Sequence, residues 1–289
     1  MNAHANPFMP LRRWPHDFSF DSAYVKLNLV PARIGVTWVQ TGLKTFFRQP
    51  LAFISLFFFF MAVVSIASLV PLVGSALALM LLPTMTLALM AATAQAAIPE
   101  KPPAGAVFIA AFKAVRADVR PLVVLGGLYA VAFLVVMAIS ALADGGQFAR
   151  VYLLGGRMTR ELAAEPQFQM ALWITMVLYL PLSFAFWHAP ALVHWHHVPP
   201  AKSVFFSFVA CLRNVRALTL FGLVWIGVFI AAGLLLSIAA GLLVAVLAMG
   251  AGDGAAALGG ALVMGGALVM AAMFFASTWF TFRDSFQAD

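Results

Sequence analysis

Four of the chain's six histidines lie in one stretch, FWHAPALVHWHHVPP, from Phe186 to Pro200. It also holds Trp187, Trp195 and three prolines. Imidazoles in such density suggest a metal site, a haem site or a proton relay. Convergence decides between these, because a bound ion needs two or more ligands on one face, with their second nitrogens held. His194 and His197 are three apart and share a face if the helix continues. His188 is six residues before His194 and falls on another face of a straight helix, unless Pro190 kinks it. No cysteine or carboxylate lies within the stretch to complete a ligand set. His188, His194 and His197 are therefore the candidate cofactor ligands, and no metal set is assigned. The competing reading is a membrane-interface belt, in which Trp187 and Trp195 occupy the layer that tryptophan prefers and the histidines act singly.

The elements that carry these residues follow from composition. Of 289 residues, 64% are hydrophobic and 9% charged; mean hydropathy is +0.99. Soluble domains are about 45–50% apolar and about 25% charged. A water-soluble core cannot absorb this excess, so the class is an all-α, polytopic transmembrane bundle. Six apolar segments are long enough to span: Leu51–Val70, Leu72–Ile98, Leu122–Leu142, Met170–Val193, Leu218–Met249 and Ala255–Phe282. His188 lies five residues inside the fourth, about 7.5 Å deep at 1.5 Å per residue. Residues 1–30 read as a disordered tail and 31–289 as the six-span domain. The first 30 residues contain no apolar core of a cleavable signal. The segment PARIGVTWVQTGLKTFFRQP, from Pro31 to Pro50, places Val36, Val39, Leu43, Phe46 and Phe47 at helical spacing and Lys44 and Arg48 elsewhere. It reads as a basic amphipathic helix lying on the membrane surface.

Lysine and arginine set the orientation. Of the 17, only Arg150, Arg157 and Arg160 fall on one side. The other fourteen flank the first span, the loops around Arg116 and Arg213, and the end of the sixth span. Both termini are expected in the cytoplasm. The net charge of +7 reflects these loops, and nucleic acid is not an expected partner. Membrane lipids are.

PPAGAVFIAAFKAVR (Pro102–Arg116) and PPAKSVFFSFVACLR (Pro199–Arg213) align without a gap, with six of fifteen positions identical. The match continues into VRPL (Val119–Leu122) and VRAL (Val215–Leu218). Val107, Phe108, Ala111, Phe112 and Val115 form an apolar stripe. Val204, Phe205, Phe208, Val209 and Leu212 form its counterpart. Each loop is expected to be an interfacial helix leading into a span, in parallel repeats, with Pro31–Pro50 a diverged third copy.

Other chemistry is sparse. No GxSxG, HExxH or phosphate-binding loop occurs, so catalysis is not expected. Cys211 is the only cysteine and cannot form an internal disulfide. Asp144 and Glu161 read as parts of a polar loop on the far side, with a short amphipathic helix. The spans carry no carboxylate by these boundaries, which argues against ion-coupled transport. Ala257, Ala261 and Gly265 give small residues at every fourth position of span 6. Such a stripe serves packing within the chain or a homo-oligomer through spans 5 and 6.

The stretches LVPARIGVTWVQTGLKTFFRQPL, ISALADGGQFARVYLLGG and FWHAPALVHWH resemble an uncharacterised family of proteobacterial inner-membrane proteins. The resemblance runs from about Leu27 to the C-terminus and implies a bacterial inner-membrane location, with no activity or site residues attached. The resulting expectation is a non-catalytic structural or lipid-interacting membrane component without a cofactor. The alternatives are a facilitator or transporter of a small apolar or amphipathic molecule, and a haem or metal binder through His188 and His194.

Overall fold

A computed structural model describes residues 25–71, 73–248 and 254–287. Expectations for residues 1–24 lie outside them. The helices are α1 (Ile34–Arg48), α2 (Pro50–Ser68), α3 (Gly74–Ala96), α4 (Ala104–Ala117), α5 (Val119–Asp144), α6 (Gln147–Leu154), α7 (Arg160–Ala164), α8 (Pro166–Trp187), α9 (Ala189–His196), α10 (Pro200–Arg213), α11 (Val215–Ala248) and α12 (Gly254–Ser285). Six stretches are long and apolar enough to cross a membrane: α2, α3, α5, α8 continued by α9, α11 and α12. The fold is an all-α membrane bundle.

The chain divides into three units of the same plan. Each has an amphipathic helix, a polar junction residue, an outgoing span and a returning span. They run α1-α2-α3, then α4-α5-α8/α9, then α10-α11-α12. Within each unit the two spans pack as a hairpin. Each amphipathic helix packs on the returning span of the unit before it: α4 on α3, and α10 on α8 and α9. The first amphipathic helix, α1, packs on α12, the last span, and so closes the cycle. The two tryptophans and three phenylalanines of this closure are among the most buried of the described residues: Trp38 and Phe46 of α1, Phe221 and Trp225 of α11, and Phe280 of α12.

Two expectations are corrected by this packing. First, α1 does not rest its apolar stripe on lipid. Gly35, Trp38, Val39, Gly42 and Phe46 are buried against protein, and of the stripe only Phe47 is largely exposed. A Cβ at Gly35 would overlap the Ala217 carbonyl oxygen, and one at Gly42 would overlap Ser277. Glycine at these positions lets the backbones meet. Second, α10 buries Ser203, Ser207, Ala210 and Cys211 rather than its row of large apolar residues. Phe205 is 61% exposed and Leu212 47%. Small side chains permit close helix contact, whereas bulky apolar ones are equally at home against lipid.

Residues 25–30 are ordered. Lys26–Leu27 (β1) pairs antiparallel with Phe286–Gln287 (β2), and Asn28 N–H donates to Ser285 O at 2.8 Å. On the opposite face, α5 ends at Gly145 and Gly146, whose φ of 66° and 87° suit glycine. The Asp144 carboxylate accepts from Gly146 N–H at 2.8 Å and Phe148 N–H at 2.6 Å. Asp144 therefore starts α6, the short helix expected in this polar loop. In span 6, Gly259 and Gly266 admit side chains of α11, while Ala257 and Ala261 are exposed in the single chain.

Candidate functional site

The histidine stretch sits where the fourth span breaks. Pro190 lacks an N–H, and its ring conflicts with the carbonyl four residues earlier, so the helix ends near His188 and restarts as α9. One hydroxyl repairs the break. His188 N–H, whose helical partner would be Phe184 O, donates instead to Ser207 Oγ at 2.9 Å. Ser207 Oγ–H in turn donates to Phe184 O at 2.7 Å. A side chain inserted into the helical ladder in this way is a recognised cause of a kink. It also explains why the repeat helix α10 presents serine rather than a bulky residue here.

The four histidines have separate surroundings. His188 is 1% exposed, and its ring packs on Phe282 and Phe286 at centroid distances of 6.0 and 5.5 Å. Its Nδ1 is buried without a partner. His194 Nδ1 lies 2.5 Å from Asp118 Oδ2. His196 meets the same two phenylalanines at 5.8 and 6.2 Å. His197 is exposed, with a left-handed φ of 51° that terminates α9. The candidate ligands His188, His194 and His197 thus face different neighbours. Among the described residues, no three of His, Cys, Asp and Glu are grouped to hold a metal ion. Trp195 packs on Trp279 of α12 with ring centroids 4.5 Å apart and the rings tilted by 43°, and Trp187 Nε1–H donates to Thr281 Oγ1 at 3.0 Å. The aromatic residues of the stretch therefore tie span 4 to span 6.

Asp118 belongs to a set that the sequence reading overlooked. Each unit has one polar residue between its amphipathic helix and its outgoing span: Gln49, Asp118 and Asn214. Each holds the chain segment that leads into the next unit. Gln49 Nε2 donates to Pro102 O, ahead of α4. Asp118 binds His194, ahead of α10. Asn214 Oδ1 accepts from Val30 N–H at 3.1 Å and its Nδ2 donates to Asn28 O at 3.0 Å, ahead of α1. Here too the cycle closes. The available signal was the polar residue one or two places after Arg48, Arg116 and Arg213.

Nucleophilic chemistry has little support here. The Cys211 thiol is buried, and burial pushes its pKa upward, so a reactive thiolate is disfavoured. At this face lies an open groove of about 600 Å³ lined by Arg48, Gln49, Leu51, Lys101, Pro102 and Ala104, among others.

Taken together, six apolar helices, a basic face of amphipathic helices and interlocked tryptophans define a multi-pass integral membrane protein. The chain is 40% identical over 204 residues to a probable inner membrane protein of Burkholderia thailandensis, covering 70% of this chain and 75% of the relative. It belongs to that family of inner-membrane proteins. No protein-family model matches the sequence, and no solved structure matches it.

Proposed function

We propose that the protein is a non-catalytic, lipid-interacting scaffold of the inner membrane whose three amphipathic helices form a belt at the cytoplasmic headgroup layer. The observation that carries this reading is the outward side of the belt. Phe47 on α1, Ile109 and Phe112 on α4, and Phe205 and Leu212 on α10 are exposed. Lys44, Lys113, Arg116 and Arg213 lie on the same helices. Exposed bulky apolar groups beside cations suit the boundary between acyl chains and anionic headgroups. The fourteen basic residues on this side favour a cytoplasmic face with both termini there.

Spin labels test the reading. The buried Cys211 is replaced by serine, and single cysteines are placed at Phe47, Phe112 and Phe205 in protein reconstituted into bilayers. All three labels should be more accessible to oxygen than to a water-soluble nickel chelate. Labels that prefer the chelate place the helices in water and reject the belt.

A further inference from the structure

The three junction residues are equivalent in position but not in completion. Asp118 is paired with His194. Asn214 is occupied by Asn28, Val30 and Ser285. At Gln49 the amide nitrogen is used, while Oε1 is buried without a hydrogen-bond partner. The side chain is only 6% exposed and forms part of the wall of the open groove. Two junctions are therefore completed by protein, and the third keeps an orphaned acceptor on a residue that lines the groove.

The walls of that space define what fits it. Arg48 donates to Ile98 O at 2.9 Å and Pro99 O at 3.0 Å, which fixes its guanidinium at the rim with N–H groups to spare. Lys101 adds a second cation. The N-termini of α2 and α4 both border the groove, at Pro50–Ala52 and Pro103–Ala104. Helix N-termini leave amide N–H groups unpaired and favour an anion, phosphate above all. Leu51, 77% exposed, marks where the groove meets acyl chains. Turned towards the groove, the unpartnered Gln49 oxygen accepts from a hydrogen-bond donor on the same ligand.

We infer that this groove binds one glycerophospholipid headgroup, its phosphodiester held by Arg48, Lys101 and the two helix N-termini, and a headgroup hydroxyl donating to Gln49. Phosphatidylglycerol has both groups; phosphatidylcholine has the phosphodiester but no donor. The inference rests on the belt reading, because it needs the groove at headgroup depth.

Native mass spectrometry of the full-length protein, titrated with phosphatidylglycerol and with phosphatidylcholine, tests it. One phosphatidylglycerol should be retained in preference to phosphatidylcholine. Lys101→Glu should weaken that retention at least about fivefold, the effect of roughly one basic residue at an anionic lipid surface. Gln49→Leu should reduce the preference for phosphatidylglycerol over phosphatidylcholine. Lys202→Glu, at the start of α10 beside a junction already completed, should leave retention unchanged. Equal retention of the two lipids, or equal losses in both lysine variants, overturns the inference. Free glycerol phosphate in millimolar excess should not displace the lipid. Displacement would assign the groove to a soluble phosphodiester or phosphomonoester and overturn the lipid assignment. Spin labels at headgroup depth together with absent lipid discrimination would reject this site while leaving the belt intact.

Discussion

Asp118 and Asn214 stand at the same point of successive units, and each grips the segment that opens the following unit, through His194 in one case and through Asn28 and Val30 in the other. The repeated unit is thus defined as much by a polar fastening as by its apolar spans. At both junctions the partners are partly shielded from water, which strengthens their hydrogen bonds relative to bulk solvent.

Removing one side of such a fastening should be costly. Asp118→Ala leaves His194 without its partner, and the expected loss of stability is about 1–3 kcal/mol. Asp118→Ala and His194→Ala combined should lose less than the sum of the single variants. Unfolding in mixed micelles measures all three, and strict additivity would show that the pair is not coupled.

His188 should behave in the opposite way. Its Nδ1 is an unpartnered polar atom among phenylalanines, while its backbone is satisfied, N–H donating to Ser207 Oγ and the carbonyl oxygen accepting from Leu192 N–H. His188→Leu removes the unpaired atom at little change in volume. Stability should stay level or rise by up to about 1 kcal/mol. Ser207→Ala, which reopens the break at Phe184 O, should cost about 1–3 kcal/mol. A large loss in His188→Leu with none in Ser207→Ala would reverse this account.

Two adjacent glycines give a sharp contrast. A Cβ at Gly126 would strike the Met80 carbonyl oxygen, whereas one at Gly127 meets nothing within 4 Å. Gly126→Ala should destabilise by about 1–3 kcal/mol through forced separation of α3 and α5. Gly127→Ala should be neutral or stabilising, by up to about 0.5–1 kcal/mol, from helix propensity. Thermal unfolding of the two variants compares them directly.

Glu161 supplies a pH dependence on the opposite face. Hydrogen bonds from its own backbone and from Thr159 hold its carboxyl below the usual range. A carboxylate depressed by folding stabilises the folded form above its unfolded pKa, near 4.3. That contribution disappears as pH falls through the folded value. The carboxyl carbon should therefore titrate lower than that of a glutamate in an unfolded peptide of the same sequence, and Thr159→Ala should move it back towards the peptide's value. An unchanged titration in Thr159→Ala would remove Thr159 as a cause.

Sidedness follows from the basic residues. Reporter fusions after Pro103 and after Arg157 should give opposite signals, cytoplasmic for the first. The same signal from both would contradict a crossing by α5.

The spans were legible in the sequence because the demand for apolar length is absolute in lipid. The buried face of α10 was not. Periodicity marks where large apolar groups lie, and in a membrane those groups satisfy lipid and protein alike, so Phe205 and Leu212 pointed to the wrong side. The informative pattern was Ser203, Ser207 and Cys211, small residues four apart. For α1, Gly35 and Gly42 carried the same information. Within the histidine stretch, identity and spacing suggested convergence, but the fates of His188 and His194 depended on Ser207 and Asp118, residues distant in sequence. The cyclic order of the units had a local trace in the repeat, yet nothing local shows that the first helix closes on the last.

That closure constrains biosynthesis. The ribosome delivers α1 early and α12 at the end, and at about 5–20 residues per second the interval between them is on the order of 10–40 s. Until the last hairpin is made, Trp38 and Val39 lack the α11 and α12 residues that finally cover them, and the bilayer surface is the apolar shelter at hand. A nascent α1 would float there as an amphipathic raft until the final hairpin inserts. Any message truncated before Val215 would yield a chain with that raft permanently adrift, a ready mark for membrane proteolysis.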